Sequence, residues 1–180
     1  MMIKRITTTF CLAAVMTNAD PITSDTMFER IGIQSGVDPL LLYSIAIVES
    51  ATGTGDGETI TPHPYVFRTS DGPQFFHARD EAEQALEKAL ETTDNIDVGM
   101  MQRNLYWHPP QDGEALFDPE EQVTWASELL ASYLSRDEPL ELRIGRYHSS
   151  RHPLAIAYGQ RVLKVYSNLM KLEDITHADQ

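Results

Sequence analysis

A mainly helical domain with one small β-hairpin is the fold class this sequence predicts, and three observations carry the prediction. Helix-forming patterns recur along most of the chain. Asp38-Pro39 and Asp118-Pro119 each supply a capping acid followed by proline at the first helical position, and only residues 65–76 read as two β-prone runs around a turn. With 180 residues and 42% hydrophobic content, the chain fits one compact domain with one real core.

The elements follow in order. Asp25 to Gln34 has the pattern of a short helix closed by Gly36. The second helix, Pro39 to about Ser50, reads PLLLYSIAIVES, apolar nearly all round, as expected of a helix at the centre of a domain. It exits into the glycine-rich Ala51-Thr52-Gly53-Thr54-Gly55, and residues 56–63 look like loop. Tyr65-Val66-Phe67-Arg68 and Gln74-Phe75-Phe76 flank Ser70-Asp71-Gly72-Pro73, a turn composition, and predict the hairpin. Asp80 to Leu90 is rich in helix formers, with Ala82, Ala85, Leu86, Ala89 and Leu90 on one side and an acidic opposite face of the kind that water solvates. Asp118 caps the next helix, with Glu121 placed to complete a capping box and Val123, Ala126, Leu130 and Tyr133 facing inward as far as Leu134. A last helix is expected from Pro153 to about Leu169, burying Leu154, Tyr158, Val162 and Val165 or Tyr166.

The first nineteen residues are set apart from the domain. Lys4 and Arg5 precede a short apolar run to Met16, and Thr17-Asn18-Ala19 stand before Asp20-Pro21, the order of an export signal cleaved after Ala19. The run is about half the roughly 20 residues a membrane span needs; a retained amphipathic anchor is the other reading of this segment. The expected organisation is a signal peptide over 1–19 and a single domain over 20–180, exported to the periplasm without stable membrane insertion. The one cysteine, Cys11, would leave with the signal. A formal net charge of -13 repels polyanions, so nucleic acid is not an expected partner.

Chemistry points first to Glu49. Leu42, Ile45 and Ala46 lie seven, four and three residues before it and place its carboxyl on an apolar stripe, where desolvation and the negative end of the helix dipole both favour the protonated acid. Periodicity alone equally allows a side chain that frays into solvent at the helix end. The segment Asn95-Ile96-Asp97-Val98-Gly99-Met100-Met101-Gln102-Arg103-Asn104 adds a glycine that permits close backbone approach and two amides suited to sugar hydroxyl and N-acetyl groups.

Glu49-Ser50 at the end of an apolar helix, the Gly-Met-Met-Gln segment, and Gly145-Arg146-Tyr147-His148 ahead of the Tyr158 helix together resemble the lytic transglycosylases of the goose-type lysozyme superfamily. The chain is most similar to the small enzymes that accompany type IV secretion systems and integrative conjugative elements. The resemblance covers roughly Val37 to Tyr166 and implies an α+β lysozyme-like fold. It also implies a catalytic acid at Glu49 and substrate contacts at Ser50, Met101, Gln102, Asn104, Tyr147 and Tyr158, although Tyr158 also reads as an ordinary core tyrosine. The family's Tyr-Asn-x-Gly falls on Tyr147-His148-Ser149-Ser150, so histidine stands where the family has asparagine and serine where it has glycine.

The implied reaction is non-hydrolytic cleavage of the β-1,4 bond between N-acetylmuramic acid and N-acetylglucosamine, giving a 1,6-anhydro-muramyl product. Its partners would be peptidoglycan glycan strands and components of a secretion or conjugation apparatus. Two alternatives stay open. Asp56, Glu58, Asp71 or Asp97 could supply the second carboxylate of a hydrolytic muramidase, and the altered Tyr147 motif would suit a peptidoglycan-binding scaffold protein that does not cut. His148 and His152 have a zinc-compatible spacing, but Pro153 implies that the helix starts after them and a third ligand is not evident, so neither metal nor cofactor is expected. No P-loop, dinucleotide fingerprint or Gly-x-Ser-x-Gly element occurs.

Overall fold

The computed structural model describes residues 26–52 and 60–178, with side chains described as far as residue 172. The export segment therefore lies outside the described residues, as do Asp56 and Glu58.

Helix α1 (Met27–Ser35) starts at Thr26, whose hydroxyl accepts from Glu29 N at 3.3 Å, and ends at Gly36 in the left-handed conformation that glycine adopts without steric cost. Helix α2 (Pro39–Ser50) starts as its sequence predicts, with Asp38 Oδ1 accepting from Leu40 N at 2.8 Å and Pro39 at the first position. Its interior residues Leu42, Ile45 and Ala46 have no solvent exposure. Among the described residues no single helix is long and apolar enough to cross a membrane, and α1 and α2 meet at a bend of 119°.

The β structure is larger than the expected hairpin. Strands β1 (Ala51–Thr52) and β2 (Thr61–Pro62) pair on their own, while β3 (Val66–Thr69), β4 (Gly72–Phe75), β5 (Asp97–Val98) and β6 (Arg103–Asn104) form an antiparallel sheet in the order β4-β3-β5-β6. The hairpin predicted at 65–76 is β3–β4. The additional strands are two residues long, too short to show alternation in sequence. Between β4 and β5 in the chain lies α3 (Arg79–Leu90), which buries Ala82 and Leu86 and leaves Leu90 exposed, against expectation, because the helix ends there.

Helix α4 (Pro119–Leu134) is capped by Asp118, which accepts from the backbone N–H groups of Glu120 at 3.0 Å and Glu121 at 3.2 Å. The expected capping box does not form. Glu121 accepts from Ala115 N at 2.7 Å instead, while Asp118 N is already bonded to Ala115 O at 2.8 Å. A six-residue helix, α5 (Leu140–Gly145), was not foreseen because it spans less than two turns. Helix α6 (His152–Ala178) starts one residue earlier and runs nine residues further than expected, and Leu154 in its first turn is exposed.

The helices enclose one apolar cluster around Leu42, Ile45, Met101, Ala126, Leu130, Tyr158 and Val162, and the sheet with α3 encloses a second around Phe67, Leu86, Ile96, Val98 and Phe117. The result is a mainly α domain with some β structure. Helices α5 and α6 touch backbone to backbone. A Cβ on Gly145 would lie 1.8 Å from Ala155 O, and one on Gly159 would lie 1.8 Å from Glu141 O, so only glycine fits at either crossing point.

Candidate active site

Helix α6 runs antiparallel to α2, and a phenol ties it to each end of that helix. Tyr166 Oη donates to Asp38 Oδ2 at 2.6 Å, and Tyr158 Oη donates to Glu49 Oε1 at 2.6 Å. Tyr158 is buried, and burial together with the neighbouring Glu49 holds its phenol protonated far above the usual range, so the hydroxyl stays a donor.

Glu49 keeps partial contact with solvent while protein surrounds most of its carboxyl. Removal from water is the largest influence and raises its pKa from 4.5 to about 7. The Tyr158 hydrogen bond, Arg161 and Arg68 oppose the rise, and Asp97 adds to it. Of the two readings the sequence allowed, the desolvated one holds and the frayed one does not. The outcome is a carboxyl near half-protonation at neutral pH, suited to giving a proton and to taking one back.

The sheet brings a polar row to this carboxyl. Arg68 pairs with Asp97, and Asp97 with Asn104, so the three occupy one cross-strand line, while Phe67 and Val98 beside them turn into the second apolar cluster. Asn104 Nδ2 donates to Asp97 Oδ1 at 2.8 Å and to Asn95 Oδ1 at 2.9 Å. Asp97 is thus the one described carboxylate among the four anticipated whose field reaches Glu49; Asp71 lies in the β3–β4 turn.

Gly99-Met100-Met101-Gln102 forms the connection between β5 and β6. Gly99 adopts φ 78°, and an added Cβ would fall 2.2 Å from Gln122 Oε1, which itself accepts from Met100 N at 2.5 Å. Gln122 Nε2 reaches Pro64 O at 3.2 Å, so this α4 side chain anchors the turn to the segment before β3. Gln102 has φ 47°, and its Nε2 donates to Gly99 O at 2.8 Å, bracing the turn from within.

Three anticipated contacts change role. Met101 is fully buried in the helical cluster, so its side chain does not reach a substrate; its carbonyl accepts from Tyr147 Oη at 2.7 Å. Ser50 is buried as well, donating to Ala46 O at 3.0 Å and accepting from His63 N at 3.1 Å, which pins the end of α2 to the chain after β2. Tyr147 supports the turn through Met101 while lying close enough for the Glu49 charge to act on its phenol. The Ser50 and Tyr147 hydroxyls are thus spent within the fold, and the apolar side chain of Met101 is spent in the core.

Glu49, Tyr158 and Tyr147 therefore surround one centre, which Asn104 joins through Asp97 and Met101 through its carbonyl on Tyr147. Arg68 and Arg161, which act on Glu49, and Gln122, which holds the Gly99 turn, were not anticipated. Arg161, three residues after Tyr158, places its guanidinium 5.4 Å from the Tyr158 ring centroid. His148 lies flat on the same ring, with centroids 4.7 Å apart and planes 5° from parallel. His152 opens α6, and among the described residues no cluster of three or more histidine, cysteine and carboxylate side chains could hold a metal ion.

A broader depression of about 850 Å³ lies beside the loop after β6, lined in part by Trp107, His108, Trp125, Asp112 and Glu128. Its floor is fixed by Arg103, which donates to His108 O and Pro109 O at 2.9 Å each, pairs with Glu114 and stacks over Trp125. Compared with protein-family models, curated proteins and solved structures, the chain matches none.

Proposed function

We propose that this chain is a lysozyme-like lytic transglycosylase that cuts peptidoglycan glycan strands between N-acetylmuramic acid and N-acetylglucosamine. The observation that carries the reading is Glu49 itself: a carboxyl at the end of a buried helix, brought to about 7 by desolvation and held by one phenol donor. A structural carboxylate gains nothing from that placement, whereas a group that must act first as acid and then as base requires it.

In the proposed reaction, protonated Glu49 gives its proton to the glycosidic oxygen as the bond to the muramyl anomeric carbon breaks, and the substrate's acetamido oxygen bonds to that carbon. Ionised Glu49, now accepting the Tyr158 hydrogen bond as a carboxylate, takes the proton from the muramyl C6 hydroxyl. The C6 oxygen displaces the acetamido oxygen and closes the 1,6-anhydro ring, which leaves Glu49 protonated as at the start. A single protein carboxylate suffices because the substrate supplies the second group, where ordinary glycosidases use a pair. Asn104 presents Asp97 beside the acid, and Arg68 and Arg161 supply donors at its rim.

Asp97 also favours a second reading, a hydrolytic muramidase in which it assists a water molecule. Mass spectrometry of digested sacculi separates the two. Anhydro-muramyl ends are the expected product, reducing ends would assign the hydrolase, and intact glycan retained on the protein would assign a non-catalytic binder. Export through residues 1–19 to the periplasm, and service to a secretion or conjugation apparatus, complete the proposal.

A further inference from the structure

We propose that His148 is a positioning residue: its imidazole, lying flat on Tyr158, holds that phenol on Glu49. The proposal rests on reading Glu49 as the acid of the site. It accounts for a histidine at the position where the resembling family carries asparagine.

The geometry connects three elements. Tyr158 projects from α6, and the phenol can serve Glu49 only in the side-chain rotamer that brings Oη to 2.6 Å from Oε1. His148 follows α5, and the glycine crossings at Gly145 and Gly159 set the distance between α5 and α6 at backbone contact, which brings the imidazole onto the phenol ring. The chain carrying His148 is fixed from both sides. His148 N donates to Gly145 O at 3.0 Å, and Arg146 bridges Glu138 at 2.8 Å and Ser150 O at 2.6 Å. A ring so placed keeps the phenol from swinging away from Glu49, whereas the smaller, non-aromatic amide of an asparagine would cover less of its face. A parallel contact of this kind is worth more than the area it covers.

The charges around the pair do not favour a proton-carrying role. His148 is faced by Arg161 from α6 and Asp97 from β5, and burial with Arg161 keeps its imidazole below the usual range, hence neutral near pH 7. Glu49 is faced by Tyr158 and Arg161 from α6, Tyr147 from the segment after α5, Asp97 from β5 and Arg68 from β3. His148 therefore acts on Glu49 through Tyr158.

The test follows the Glu49 side-chain carboxyl by carbon NMR in protein carrying labelled glutamate, with the signal assigned from Glu49→Gln. Because the hydrogen bond favours the ionised form, loosening the phenol raises the midpoint. In His148→Ala it is expected to rise by about half a pH unit or more, in His148→Phe to return to the wild-type value, and in Tyr158→Phe to rise at least as far. Adding His148→Ala to Tyr158→Phe is expected to change nothing further. An unchanged midpoint in His148→Ala, failure of phenylalanine to restore it, or an equal further shift in the double variant overturns the proposal. On sacculi, His148→Ala is expected to lower kcat with little change in KM. Absence of wild-type cleavage would refute the function proposed above and leave the titration to decide the role of His148.

Discussion

The helical cluster and the sheet-side loop each take a glutamate partly out of water, and they treat it in opposite ways. Glu114, after β6, meets the Arg103 guanidinium directly and also accepts from Gln111 N at 2.7 Å, so its pKa falls below the usual carboxylate range. Glu49, at the end of α2, meets a neutral phenol, with Arg68 and Arg161 acting only through their fields, so desolvation prevails and its pKa rises. The difference between the two lies in the partner. A carboxylate with a bonded cation locks a loop in place, and one with a single neutral donor keeps a proton to exchange.

The sharpest way to break that contrast is to remove the proton. Glu49→Gln is expected to fold normally and to lose glycan cleavage by about a hundredfold or more, the range for a general acid or base; release of soluble muropeptides measures it. The counterpart is Arg103→Met, which leaves Glu114 without its cation and the carbonyls of His108 and Pro109 without the donor that Arg103 supplies. It is expected to lower stability by about 2 to 4 kcal/mol in urea unfolding and to leave the Glu49 titration unmoved. Should Arg103→Met shift that titration as strongly as Tyr158→Phe, the two regions would not be electrically separate.

A milder test concerns Gln102. Because its amide is spent on Gly99 O while its backbone holds φ 47°, Gln102→Ala is expected to cost about 1 kcal/mol of stability. Activity per folded molecule should fall far less than in Glu49→Gln. A loss comparable to Glu49→Gln with unchanged melting temperature would move Gln102 from support to substrate contact.

What the sequence revealed follows the range of the forces involved. Helix α2 was legible because Asp38, Pro39 and the apolar run act within a few residues of one another, and the position of Glu49 on the stripe followed from them. Periodicity places Tyr158 on the inward face of its helix and the resemblance gives it a substrate contact; that its hydroxyl meets Glu49, 109 residues away in sequence, depends on the packing of α6 on α2. Arg68 looked like one polar residue in a hairpin, because the pairing of β3 with β5 that carries it to the site is a two-residue ladder with no periodic signal. Gln122 was hidden for a similar reason, since a glutamine in the first turns of a helix normally faces water, and only the missing Cβ of Gly99 admits it to the turn. Ser50 and Met101 take outward roles only through the resemblance, which places a residue near a site without telling which of its sides faces in.

Glu49 keeps a proton into the neutral range because the fold withholds water from it. Between 4.5, its ordinary value, and about 7, its value in the fold, the folded protein keeps a proton that the unfolded chain has released. Stability from this group is therefore complete below the ordinary value and falls as pH rises through the window, by up to about 3 kcal/mol above it. Glu49→Gln is neutral throughout and lacks this dependence. Urea unfolding of both proteins at pH 5 and pH 8 measures it directly. The expected result is that Glu49→Gln gains about 2 to 3 kcal/mol on the wild type between the two pH values, and an unchanged difference between them would contradict the claim.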